Sequence, residues 1–348
     1  MTLLMRLAWR NIWRQKRRTF ITTAAMAAGL AFCLATVCLV DGMYIQMFDD
    51  VVTRTTGHAQ AHHPDYPKKR AVYETIPDAE GLLLELEALP EVVGATARVY
   101  GHALLGTEEL VVGAMLLGID PSREATMTEL DRWVEQGRYL DPDARGELLL
   151  GYELAEKLRA APGDELMAVT QAADGSTGNE LYMVVGIVNT GDVMKDRSGA
   201  WMLTRDLQEL LVLPGQVHEI SLLSAGRDAV PNMLAAAAPS AESRGLLQRS
   251  WAELNPQMAQ MLELADASMY IMLFIVFGVA ALGILNTMLM SVFERTKELG
   301  VIKALGLRPL QLVRLVFWES AWLSGVAVLI GLPFGLAMDA GLVWYGLD

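Results

Sequence analysis

The chain has 348 residues, enough for two ordinary domains, and 53% of them are hydrophobic. A mean hydropathy of +0.29 excludes a typical soluble enzyme. The formal charge of −13 conceals an asymmetry along the chain, and the only two cysteines, Cys33 and Cys38, share one apolar stretch, which excludes a disulfide framework.

Residues 1–19 open the chain with Arg6, Arg10, Arg14, Lys16, Arg17 and Arg18 and no acid. Leu4, Leu7, Ala8 and Ile12 recur at helical spacing beside a basic face, and Trp9 and Trp13 suit a headgroup layer. The pattern predicts a short amphipathic helix along the membrane surface; a plain basic topogenic tail fits equally. The first span is placed at 20–43. Its core, Phe20 to Val40, has no ionisable side chain over 21 residues, and at about 1.5 Å per residue it covers a hydrocarbon core of roughly 30 Å. A cleavable signal would have a shorter apolar core and an A-x-A-like site, so a retained anchor is expected. Val37 before Cys38 is also too bulky for a lipoprotein cleavage site.

Residues 44–262 read as an α+β domain in two subdomains. Gly57–His62 alternates as a strand would, and strand-like runs recur at Val92–Leu105, Leu110–Ile119, Glu147–Leu150, Glu165–Thr170 and Leu181–Val188. Helical stretches fit Ala79–Ala88, Tyr152–Arg159 and Arg205–Leu211. Turns are marked at Ile119-Asp120-Pro121, Ala161-Pro162-Gly163-Asp164 and Ala173-Asp174-Gly175-Ser176. The second span is placed at 263–293, a short helix or loop at 294–314, with a compact helix at about 294–304, the third span at 315–338 and a tail at 339–348.

Charge sets the orientation. Arg295, Lys297, Lys303, Arg308 and Arg314 stand in the short loop, and the first 19 residues are wholly basic, so both are expected in the cytoplasm. Residues 41–268, with 17 basic and 36 acidic side chains, fall on the opposite side. An acidic exterior domain does not suit nucleic acid.

The exterior region shows little chemistry. His58, His62 and His63 lack a supporting Asp, Glu or Cys, so a solvated strand face is expected rather than a metal site. Ser176, Ser198 and Ser250 sit in no G-x-S-x-G elbow. No G-x-x-x-x-G-K-[ST] phosphate loop occurs, so no catalytic residue is assigned and no ATP chemistry by that route is expected in this chain.

The most specific string is Glu294-Arg295-Thr296-Lys297-Glu298-Leu299-Gly300-Val301-Ile302-Lys303-Ala304-Leu305-Gly306. It resembles the E-R-x-x-E-[IL]-G-[IV]-x-[KR]-A-L-G signature after the second span of ABC transporter permeases of the MacB, LolC/LolE and FtsX superfamily. Glu319 stands where their third span often begins with a glutamate. Ile119-Asp120-Pro121, Gly151 to Gly163 and Val184–Val188 resemble periplasmic patterns of the same permeases. The resemblance implies an inner-membrane helical bundle with a large α+β periplasmic domain between spans one and two. It implies that Glu294, Arg295, Lys297, Glu298, Gly300, Lys303 and Gly306 meet a separate ABC ATPase, which holds the ATP and Mg. It also implies a second permease (a copy or a paralogue) and, in the LolC/LolE-like case, lipoprotein cargo passed to a periplasmic carrier. MacB-like export through an adaptor and FtsX-like regulation of a cell-wall hydrolase are the alternatives. Two departures stand out: no ATPase domain precedes the first span, and only three of the family's four spans are visible, so truncation is expected.

Further residues invite roles. Ala24, Ala28, Ala31 and Ala35 form one small-residue stripe, and Ser324, Ala327, Gly331 and Gly335 another, suited to close helix packing. Glu319, near the cytoplasmic end of its span, is expected to snorkel rather than pair. Met258, Met261, Met269 and Met272 lie on one helical face with Ala265, where flexible thioethers suit core packing or contact with acyl chains.

Overall fold

The computed structural model describes residues 3–14, 16–52, 56–107, 109–294, 296–304, 306 and 308–344. Its contacts divide the chain into a helical unit, Met1–Met47 with Gln260–Asp348, and a mixed unit, Phe48–Ala259.

The chain begins with α1 (Leu3–Arg14) and α2 (Lys16–Val51). Within α2 the run Phe20–Val40, free of ionisable side chains, has in hydrocarbon no backbone partners except its own i−4 neighbours, so it is helical. The mixed unit then runs β1 (Ala59–His62), α3 (Tyr66–Lys69), α4 (Ala79–Glu87), β2 (Gly94–Gly106), β3 (Val111–Ile119) and α5 (Pro121–Thr128). It continues through β4 (Val134–Gly137), β5 (Glu147–Gly151), α6 (Tyr152–Leu158), β6 (Glu165–Gln171), β7 (Thr177–Val188), α7 (Val193–Ser198) and β8 (Gly199–Leu203). It closes with α8 (Thr204–Leu211), β9 (Glu219–Leu223), α9 (Val230–Glu242), β10 (Leu247–Ser250) and α10 (Trp251–Leu254). Three helices follow: α11 (Pro256–Glu294), α12 (Thr296–Ala304) and α13 (Pro309–Trp344).

Among the described residues ten strands form one sheet in the order β10-β1-β9-β2-β3-β8-β5-β7-β4, with β6 joining β2 to β7. The long strand β2 ties the sheet together. Its first half pairs antiparallel with β9, and its second half pairs with β3 and β6. Alternate residues of the central strands feed two cores. Leu116 of β3, Leu148 and Leu150 of β5, and Ala200 and Met202 of β8 point into the larger one. Leu117, Ile119, Leu149, Trp201 and Leu203 point into the other. Burial on both faces explains why these strands read as continuous apolar runs rather than alternating ones.

Several sequence signals become specific contacts. Asp120 caps α5, accepting from the backbone N–H groups of Ser122 and Arg123 at 3.0 and 3.2 Å, with Pro121 in the first turn. A Cβ at Gly151 would lie 2.6 Å from the carbonyls of Lys195 and Asp196, so only glycine lets α7 approach the end of β5. The C-terminal end of α2 is anchored inside the mixed unit. Phe48 is fully buried, meets Trp251 edge-on at 4.7 Å, and carries the Arg227 guanidinium 5.9 Å from its ring centre.

The histidine expectation is corrected here. His58 and His62 are buried, not solvated, because β1 lies between β9 and β10 and all four of its residues are covered. The alternating small and polar residues of 57–62 looked like a half-exposed strand, but short side chains let a second layer close over them.

In the helical unit, α2, α11 and α13 contain segments long and apolar enough to cross a membrane: Thr19–Asp49, Pro256–Glu294 and Pro309–Leu342. At about 1.5 Å per residue, α11 reaches roughly 58 Å, well beyond a hydrocarbon core. The small-residue stripe of α13 packs on α2. A Cβ at Gly331 would stand 2.7 Å from the Ala27 carbonyl oxygen, and one at Gly335 would stand 3.2 Å from the Ala31 Cα. The stripe expected on α2 is shifted: Ala24 and Ala28 are exposed, while Thr23, Ala27, Ala31 and Ala35 form the buried face.

Candidate functional site

Glu294 is the last residue of α11, and α12 begins at Thr296. The Thr296 hydroxyl donates to the carbonyls of Val292 at 3.1 Å and Phe293 at 2.8 Å, so the junction carries side-chain bonds to the preceding turn. Lys297, Gly300, Val301 and Lys303 of α12 are all exposed, and space is open around Gly300. Gly306 ends this segment at φ +99°, donating its N–H to the Lys303 carbonyl at 3.1 Å, a conformation that glycine adopts without strain. The Arg308 N–H donates to Gln311 Oε1 at 2.9 Å, and Pro309 starts α13 where a missing N–H costs nothing. A short helix is thus set off between two long ones, with Gly306 and Pro309 both standing at its junction with α13. Arg295 and the Glu298 side chain lie outside the described residues.

Glu319 does not snorkel. It is 8% exposed and accepts a hydrogen bond from Asn11 Nδ2 at 2.7 Å. Ala8 and Ile12 of α1 are buried, and Trp9 meets Trp322 of α13 edge-on at 5.0 Å. The apolar face of α1 therefore covers α13, which supplies the carboxylate with a polar partner and removes the need to reach water.

A cleft of about 960 Å³ opens within the mixed unit. Beneath it Arg98, almost fully buried, donates to Glu124 at 2.8 and 3.1 Å and to Glu219 at 3.2 Å. Burial opposes a charge on Arg98, but the two glutamates outweigh it and its pKa is raised. Burial pushes the Tyr100 and Tyr66 phenols up. Lys195 also lines the cleft; burial, and then Arg98, lowers its pKa to about 8. His62 and His218 are held neutral near pH 7, their pKa values lowered chiefly by burial.

A family model described as the MacB-like periplasmic core domain matches residues 19–246, and one described as the FtsX-like permease C-terminal matches residues 270–345. The chain belongs to this family of ABC transporter permeases. Among its relatives, the lipoprotein-releasing system transmembrane protein LolC of Neisseria meningitidis serogroup B is 24% identical over 92% of this chain and 76% of its own length. The pyoverdine export ATP-binding/permease protein PvdT of Pseudomonas syringae pv. syringae is 23% identical over 97% of this permease, which spans 52% of that relative. The solved periplasmic region of MacB from Actinobacillus actinomycetemcomitans is similar at a TM-score of 0.43 and 12% identity, over 63% of this chain and 98% of that one.

Lys297, Gly300 and Lys303 share α12, whereas Glu294 ends α11 and Gly306 follows α12, and the methionines lie apart from them. Met258 falls in the mixed unit, whereas Met261, Met269 and Met272 fall in the helical one. All four lie on α11; Met261 is exposed and the others are half-buried. The buried members of this stretch are Leu262 and Ala265. The cleft and its Arg98 network were not foreseen. Its charged residues come from β2, α5 and β9, and no local spacing announces such a meeting.

Proposed function

We propose that this permease couples ATP hydrolysis by a separately encoded ABC ATPase to motion of its mixed unit, and that the motion extracts lipoproteins from the inner membrane. The observation that carries the reading is α12: a short, exposed helix between two membrane-length helices, carrying the family string. Lys297 and Lys303, exposed on α12, offer a polar surface to a groove on the ATPase, and the family resemblance assigns Glu294, Arg295 and Glu298 to the same contact. Gly306 and Pro309 supply a non-helical joint between α12 and α13 at which α12 can change direction. Two further features support a mechanical role: α2 and α11 each contribute residues to both units, and within the mixed unit Phe48 packs against Trp251 and Arg227. The basic residues of 1–19 and 294–314 support an orientation with α12 in the cytoplasm and the mixed unit in the periplasm.

Lipoprotein cargo rests on the likeness to LolC. The similarity to PvdT supports a second reading, in which the same motion drives efflux of a soluble substrate through an adaptor. The test is release of a lipidated reporter protein from proteoliposomes holding the permease, a second permease and the ATPase. Lys297→Glu with Lys303→Glu is expected to abolish both ATPase attachment and ATP-dependent release. Unchanged attachment and release in that variant rules the coupling role out. Intact attachment with no lipoprotein release by the wild type rules out the cargo.

A further inference from the structure

The cleft of the mixed unit gathers cations and hydrogen-bond donors that the protein itself leaves unmatched. Four basic and three acidic side chains line it, although residues 41–268 as a whole hold 17 basic and 36 acidic ones. The three acids are already served. Glu124 accepts from Arg98, Thr96 and Thr128, and Glu219 accepts from Arg98, Ser221 and Tyr100. Asp192 accepts from the backbone N–H groups of Met194 and Lys195. Arg70 and Arg249 are left over: among the described residues neither guanidinium has an ion pair or a hydrogen bond. Two more polar groups of the lining are unmet. His62 is 4% exposed, with no hydrogen-bond partner for either ring nitrogen among the described residues, and the Asn255 Nδ2 group is buried without one. Such groups are costly in a folded interior, so they call for a partner from outside the chain.

These four side chains meet for a local reason. β1 and β10 are antiparallel neighbours, with Gln60 opposite Arg249 and His62 opposite Leu247. Residues two apart on a strand share a face, so His62 and Arg249 stand on the same side of the sheet. α3 follows β1 and is closed by Arg70, whose N–H donates to the Tyr66 carbonyl at 2.8 Å. α10 follows β10 and is closed by Asn255. Two adjacent strands and the short helices after them therefore deliver all four groups to one cleft. Their chemistry is that of an anion site. Burial lowers the His62 pKa, Glu219 opposes this, and Arg249 lowers it further, so the imidazole and the guanidinium are close enough to repel. An oxyanion between them offsets that repulsion, accepts charge-assisted bonds from the arginines and accepts from the Asn255 amide and one imidazole N–H. A cation would add to the excess, and a neutral ligand would leave it unmatched. β10 ends the sheet, but it is four residues long and its Ser250 N–H is taken by Glu253 at 2.9 Å, so side chains rather than strand pairing set the recognition. A volume of about 960 Å³ leaves room for an organic body behind the acidic head.

We propose that this cleft binds a small organic or inorganic oxyanion, a carboxylate or a phosphate, through Arg249 and Arg70, with Asn255 and His62 as further donors. The site involves neither the ATPase nor α12, so the experiment needs no nucleotide and no cargo. Full-length permease in phosphatidylcholine nanodiscs is titrated calorimetrically with succinate, citrate, inorganic phosphate and glycerol 3-phosphate, and with glycerol and putrescine as neutral and cationic probes. At least one of the four anions is expected to bind with a Kd of about 1 mM or tighter. Which anions bind separates a carboxylate head from a phosphate, and free phosphate from its ester. Arg249→Gln is expected to weaken binding roughly tenfold or more, and Arg70→Gln and Asn255→Leu by about threefold or more each. Arg249→Lys, which keeps the charge, is expected to lose less than Arg249→Gln. Arg70 is exposed and Arg249 half-buried, so their substitutions leave the core intact, and unchanged unfolding midpoints confirm that the loss is one of binding. The proposal is overturned if no anion binds the wild type, if glycerol or putrescine binds as tightly as the anions, or if Arg249→Gln and Arg70→Gln both bind like the wild type.

Discussion

Replacing Arg98 by methionine gives the most direct view of what holds the mixed unit together. The side chain is almost fully buried and donates twice to Glu124, once to Glu219 and once to Ser221 at 3.3 Å. Methionine fills much of the volume but leaves two carboxylates facing each other with no cation. Removing one partner of a buried charge network typically costs about 3–5 kcal/mol. For a domain of this size roughly 2–4 °C of Tm accompany each kcal/mol, so Arg98→Met is expected to lower the unfolding midpoint by about 6–20 °C. Intrinsic tryptophan fluorescence of the full chain in detergent reports it, since Trp133, Trp201 and Trp251 lie in this unit. The triple variant Arg98→Met, Glu124→Gln, Glu219→Gln removes the unpaired charges and is expected to recover much of the loss. A midpoint for Arg98→Met within about 2 °C of wild type would mean the network is solvated in practice, and the reasoning would fail.

Helix packing gives a paired test. Gly331→Leu should separate α2 from α13, because even a Cβ there meets the Ala27 backbone, whereas Gly325→Ala, with open space around it, should be tolerated; protease resistance of the detergent-solubilised chain distinguishes them. Asn11→Leu should expose the N-terminal helix to proteolysis by leaving the buried Glu319 without its amide donor, and Glu319→Gln should largely preserve the contact; equal cleavage of the two variants would count against it. Acid should destabilise the mixed unit. Burial lowers the folded-state pKa of His58, His62 and His218 below the ordinary 6.5, so the unfolded chain takes up protons first and stability falls as pH drops through about 6.5. His218 adds a structural reason, since its Nδ1 accepts from the Tyr100 N–H at 3.0 Å and cannot do so once protonated. A midpoint constant between pH 7.5 and pH 5.5 would contradict this.

Much of this fold is legible in the sequence because the strongest signals are local. Apolar runs with no charge specify the long helices, and the pattern Gly151 to Gly163 marks a strand, a glycine contact and a helix. The runs Glu165–Thr170 and Leu181–Val188 match β6 and most of β7. What escaped is equally instructive. Strands β9 and β10 are short; β9 starts at Glu219, just after His218, and β10 carries Arg249, charged or polar residues that look exposed until the tertiary fold covers them. Helix α9 contains Pro239 and a run of alanines, with little amphipathic contrast to announce it. The capping box at Ser250 and Glu253 is a local start signal for α10 that the sequence does carry. The family string located α12, but its charge pattern alone would equally describe an ordinary positive-inside loop. The Arg98 network and the Asn11–Glu319 contact join residues far apart in the chain, and pairing at that distance leaves no trace in local spacing.

The role of α12 is tested most directly by a single cysteine at Val301, which is exposed on that helix. In membranes containing the permease and its ATPase, crosslinking of Val301→Cys to the ATPase is measured without nucleotide, with ATP and with ADP. Coupling through α12 predicts a crosslink to the ATPase whose yield changes on ATP binding. No crosslink, or a yield indifferent to nucleotide, would contradict it.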